Sequence, residues 1–107
     1  MTSSPATRVA RSSSKAASAA ECRHLRQIPN IGPAMVADFE VLGIRLPVDL
    51  VGADAFALYQ RLCKLTGQRH DPCVLDTLMA AVDFMNGGPA RDWWSYTAVR
   101  KAQYPDV

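Results

Sequence analysis

The chain has 107 residues, 49% of them apolar and 21% charged, which is enough for one domain with a modest core and is ordinary globular composition. Twelve Lys and Arg face ten Asp and Glu, but Arg8, Arg11 and Lys15 stand in an acid-free first twenty residues, so the other 87, with nine cations and ten anions, are near −1. A body so balanced excludes a polycation that grips nucleic acid by bulk charge, and contact with phosphate would have to be local. No apolar run approaches the roughly 20 residues that span a bilayer, and no secretory core opens the chain. Three cysteines, Cys22, Cys63 and Cys73, are expected to be reduced thiols in a cytoplasmic protein.

Residues 1–19 are rich in Ser, Ala and Arg with one large branched apolar residue, Val9, and are expected to form a disordered basic tail. They share their composition with organellar transit peptides but lack a strong apolar helical face. From Ala20 the pattern becomes helical, with Gly and Pro as punctuation. A short helix over about 20–27 is expected first. Pro33 then stands where a first helical position would be, and Met35, Val36, Phe39 and Leu42 share one face of a helix over 33–42 that Gly43 stops. Pro47 to Val51 reads as one helical turn.

Asp54 is placed to cap a helix running to about Thr66, with Leu58, Leu62 and Leu65 inward and Gly67 as its end. Asp71-Pro72 opens another to about Asn86, whose stripe is Val74, Leu75, Leu78, Val82 and Met85. A last short helical segment carries Trp93, Trp94 and Tyr96, and residues 101–107 are expected to fray. The predicted architecture is all-α: a compact bundle of about five helices, one domain over 20–100.

The stretch from Leu25 to Ala37 places an apolar-Pro-x-apolar-Gly turn, Ile28-Pro29-Asn30-Ile31-Gly32, between two helices. Gly32 is the expected site of a positive φ or a close approach, with Ile28 and Ile31 pinning the turn to the core. This stretch resembles the helix-hairpin-helix motif, which implies a device for holding a DNA backbone without reading bases. Amides at a helix head and the positive end of its dipole suit a phosphate oxygen. The candidate contacts are the amides of Ile31, Gly32, Ala34 and Met35, with Arg23 and Arg26 nearby. Three departures weaken the site: Ala34 replaces the motif's second glycine, Pro33 has no N–H, and Met35 stands where a cation is common. A hairpin used only for chain reversal and packing is the competing reading.

Ile28-Pro29-Asn30-Ile31-Gly32-Pro33, Leu42-Gly43-Ile44, Asp49-Leu50, Leu58-Tyr59, Leu62-Cys63, His70-Asp71-Pro72-Cys73-Val74-Leu75-Asp76 and Trp93-Trp94 occur in an order that closely resembles the bacterial pathogenicity-locus family, over about residues 20–97. Some members of that family carry the label of mitomycin-resistance protein. The resemblance implies a helix-hairpin-helix domain and supplies no catalytic residues.

Other chemistry is thinly supported. Cys63, His70, Asp71 and Cys73 lack metal-ligand spacing, and no cofactor or metal is expected. Cys73 at a helix head with His70 near it could form a nucleophilic pair, but without an evident third group, so no enzyme is expected. Trp93 and Trp94 are adjacent and cannot both face one core; with Arg91, and with Arg100 and Lys101 flanking, they form a second candidate surface for bases or a protein partner. Two functions remain: a weak, sequence-nonspecific DNA-backbone binder, and a protein-interaction or accessory domain with a purely structural hairpin. Oligomeric state is not legible.

Overall fold

The structure, a computed structural model, describes residues 15–107. The expected tail therefore lies outside the described residues except at 15–19. Those five depart from expectation: Ala16 is buried and its amide donates to the Gln27 carbonyl at 2.8 Å. A lone methyl and a backbone bond are enough, because the partner is the already ordered turn at 25–27.

Four α-helices and no strands are present among the described residues: α1 (Pro33–Val41), α2 (Ala55–Thr66), α3 (Pro72–Met85) and α4 (Thr97–Gln103). Residues expected as a first helix form two 3₁₀ turns, Ala19–Glu21 and Leu25–Gln27. The side chain of Gln27 accounts for the break, since its Oε1 accepts from the amides of Arg23 and His24 at 2.8 and 2.9 Å. That bond closes one turn and leaves nothing for a longer helix to propagate from. Pro47–Leu50 and Trp93–Tyr96 are further 3₁₀ turns.

The caps are as expected. Asp54 accepts from the amides of Phe56 and Ala57, Asp71 accepts from Cys73, Pro33 and Pro72 open their helices, and Gly67 closes α2 at φ 70°. Around α3 the core assembles. Leu75, Leu78, Ala81, Phe84 and Met85 are buried, as are Asp76, Thr77 and Ala80, so α3 is covered nearly all round while Val74 and Val82 are only half-buried. Ile28, Ile31, Phe39, Leu42, Leu50, Tyr59 and Leu62 close on it from the other elements.

On α2 the inward face is rotated from the expected one. Leu62 is buried, Leu58 is half-buried and Leu65 is 53% exposed, while Tyr59 takes an inward place. Two contacts set the rotation: Tyr59 donates its hydroxyl to the His70 carbonyl, and Phe56 stacks on Tyr104 with ring centroids 4.2 Å apart. The second contact also orders the C-terminal residues expected to fray. Tyr104 and Val107 are half-buried against the core.

One charged pair lies inside. Asp76, fully buried on α3, takes Arg100 Nε at 2.8 Å and Thr97 Oγ1 at 2.7 Å, fastening α4 to α3. Nearby, burial first and then the Asp83 carboxylate it donates to push the Tyr96 hydroxyl up to about 12. Removing one partner of a buried pair leaves the other charge unpaired. Asp76→Ala is therefore expected to cost about 3–5 kcal/mol in chemical denaturation, and an Asp76→Leu, Arg100→Met double variant clearly less. A double variant no more stable than Asp76→Ala would contradict this account.

Candidate functional site

The turn between Leu25–Gln27 and α1 is built on two isoleucines with almost no exposed surface, Ile28 and Ile31. Its reversal is made by a residue other than the one expected. Asn30 has φ 73°, whereas Gly32 is extended, with φ −114° and ψ −170°, as the residue preceding α1. A Cβ built at Gly32 meets nothing within 4 Å, so the protein's own packing does not require glycine there. Asparagine tolerates the left-handed region better than most side-chain-bearing residues, and that tolerance was the missed signal.

Of the four amides expected to be free, one is engaged: Ile31 N–H donates to the Ile28 carbonyl at 3.1 Å. Those of Gly32, Ala34 and Met35 have no acceptor among the described residues. Gly32 also offers no side chain to cap the helix, so among the described residues the head of α1 keeps its unpaired donors and the positive end of its dipole.

The cation that the turn lacks in sequence comes from Lys15, a residue of the expected tail. Its ammonium donates to the carbonyls of Ile31, at 2.6 Å, and Arg26, at 2.8 Å. Burial and then the neighbouring Arg26 charge lower its pKa. An ammonium has three donors, so one remains after these bonds among the described residues. Beside the turn, a cleft of about 560 Å³ carries Arg23, His24, Arg26 and Arg45 against one carboxylate, Glu40. No carboxylate pairs with any of those arginines among the described residues, where the one ion pair is Arg100–Asp76. Asp49 orients the Arg45 backbone, its carboxylate accepting from the amides of Arg45 and Leu46, which hold its pKa below the usual range.

The second candidate surface adjoins the first. The side chain of Asn30 donates to the Arg91 carbonyl at 2.7 Å and accepts from the Trp93 amide at 3.2 Å, joining the turn to a segment some sixty residues downstream. Trp93 is half-buried and packs edge-to-face with Trp94, centroids 5.7 Å apart at 84°; Trp94 is 59% exposed and Arg91 is exposed. Arg100, expected to flank this surface, is instead buried on Asp76, while Lys101 is exposed.

The thiols form no comparable site. Cys63 Sγ accepts from the His70 amide at 3.4 Å, and His70 Nε2 lies 2.9 Å from Thr66 Oγ1. No group of three His, Cys, Asp or Glu is placed to hold a metal among the described residues. Burial, followed by the Asp71 carboxylate, pushes the Cys73 thiol pKa up, the reverse of what a nucleophile needs.

Two measurements check this geometry. Gly32→Ala is expected to keep the fold and gain about 0.4–1 kcal/mol by restricting the unfolded chain, whereas Asn30→Ala loses about 1–3 kcal/mol through its positive φ and the lost clasp. The opposite order in denaturation midpoints would refute the assignment of the reversal to Asn30. Alkylation of Cys73 near neutral pH should be slower than that of free cysteine, and fast selective labelling would contradict the raised thiol pKa.

Comparison with known proteins adds the chain's lineage. Over 77 residues it is 46% identical to "Mitomycin resistance protein McrB" of Streptomyces lavendulae, covering 72% of this chain and 73% of that protein. No solved structure matches it significantly. The model of the pathogenicity locus family matches residues 18–102, from just before the first 3₁₀ turn into α4. This protein thus belongs to the pathogenicity locus family.

Proposed function

We propose that the chain is a non-catalytic helix-hairpin-helix module of the cytoplasm that holds DNA by its backbone, weakly and without reading sequence. The observation that carries this reading is the set of amides on Gly32, Ala34 and Met35 at the head of α1 that have no acceptor among the described residues, with the Lys15 ammonium bound to the same turn. A phosphate oxygen supplies the acceptor those amides lack and a counter-charge for Lys15. The open space in front of Gly32 lets a phosphate approach the backbone, and the arginines of the adjoining cleft, unpaired among the described residues, offer a second phosphate seat. The near-neutral body keeps long-range attraction small, so the affinity rests on these few groups.

No helix among the described residues is long and apolar enough to cross a membrane. A second reading, a protein-interaction or accessory domain with a purely structural hairpin, is favoured by the exposure of Trp94. It predicts that DNA is ignored and that Trp94→Ala keeps its fold while losing a protein partner.

Fluorescence anisotropy of labelled DNA separates the two. With about three phosphates neutralised, the logarithm of affinity should fall against the logarithm of salt with a slope near −3, from a Kd of about 10⁻⁴ to 10⁻⁶ M. Lys15→Ala should weaken binding and reduce the slope by about one. Absence of binding at the lowest salt, with the full chain, would end the DNA reading.

A further inference from the structure

We infer that the nucleic acid held at the hairpin carries an unpaired base that stacks on the indole of Trp94, so that the preferred substrate is a single strand or single-stranded end in place of an uninterrupted duplex. The inference rests on the DNA reading above and names its substrate class. Asn30, two residues before Gly32, bonds the backbone on both sides of Asp92 through the Arg91 carbonyl and the Trp93 amide. The Trp segment is therefore fastened to the same turn that presents the amides with no acceptor among the described residues.

Within that segment the two indoles differ. Trp93 is half-buried and braces its neighbour edge-to-face at 84°, while Trp94 leaves 59% of its surface open. A large aromatic side chain is usually well buried, and this one is held at the surface by a rigid neighbour instead. The two charges just before the Trp pair, exposed Arg91 and exposed Asp92, are adjacent and opposite in sign, so the segment offers a ring and little net charge for a further phosphate.

The chemistry of that ring selects the strand. In an uninterrupted duplex the faces of the bases are covered by their neighbours and only their edges reach the grooves. An unpaired base exposes its face and stacks on an aromatic ring whatever its identity, which fits a site with no base-edge reader. Amides and Lys15 hold a phosphate of the strand, and Trp94 takes a base close to it.

The test uses the full chain with three labelled probes at one salt concentration: a short oligothymidine strand, a blunt duplex of equal length, and that duplex with a single-stranded overhang. Strand and overhang are expected to bind more tightly than the blunt duplex. Trp94→Ala should weaken strand binding about tenfold and leave the blunt duplex unchanged, with Trp94→Phe retaining most of the affinity. Asn30→Gly, which keeps the positive φ and removes the clasp, should lose the strand preference. Tryptophan emission should be quenched by the strand in the parent chain and not in Trp94→Phe.

Blunt-duplex binding with no strand preference, or a preference that survives Trp94→Ala in a folded variant, would overturn the inference and leave the backbone-binding reading standing. Binding of none of the three probes would remove both. A Trp94→Ala chain that binds every probe as the parent does but loses a protein partner would assign the indole to protein docking.

Discussion

The candidate site depends on Asn30. Its backbone makes the reversal that aims α1, and its side chain carries that reversal to the other end of the fold through the Arg91 carbonyl and the Trp93 amide. Few residues can do both. Glycine would adopt the φ more easily but has no side chain to reach across, and a larger polar residue would incur more strain at φ 73°. An asparagine amide supplies a donor and an acceptor on one short rigid plane, as the two backbone groups flanking Asp92 demand.

The clasp would be slack if the downstream segment were itself loose, and three other contacts keep it firm. Tyr96 donates to Asp83 at 2.6 Å, Thr97 and Arg100 converge on Asp76, and Tyr104 stacks on Phe56. These fix the residues that follow the Trp pair to α3 and α2, while the Asn30 clasp holds those just before it, so the position of Trp94 relative to the turn is set from both ends. The buried Asp76 also consumes a guanidinium that would otherwise lie on the surface, which changes where positive charge is available. What remains near the turn is Lys15, Arg23, Arg26, Arg45 and Arg91, drawn from four separate stretches of chain.

Much of the local structure was legible because it is written in neighbouring residues. Asp54 and Asp71 as caps, Pro33 and Pro72 at first helical positions and Gly67 as a stop each act within one turn of where they stand. Errors arose where a distant partner decides. Leu65 matched the helical period and is exposed because Tyr59 and Phe56, held by His70 and Tyr104, turn α2 the other way. Lys15 and Ala16 looked like tail because their low apolar content cannot order a segment alone, yet the preformed turn at 25–31 gives them partners. The general preference of glycine for positive φ points to Gly32 for the reversal, yet Gly32 is extended. An Asn two positions earlier was the competing signal, and its long-range bonds decided the matter.

The turn and the Trp pair were each legible in sequence as candidates, but not their adjacency, which no spacing rule encodes across sixty residues. That adjacency changes the physical problem. A helix head with a few amides and one ammonium can hold a phosphate but cannot tell one nucleic acid from another, because every strand and duplex presents the same group. An aromatic face tells paired from unpaired bases without reading their identity. A near-neutral body helps such discrimination, since strong nonspecific attraction would add the same large contribution to every form and mask the difference that one stacking contact makes. On the proposed reading, weak overall charge and a braced, exposed indole are parts of one arrangement, in which low bulk attraction would make a single stacking contact large enough to choose between strand and duplex.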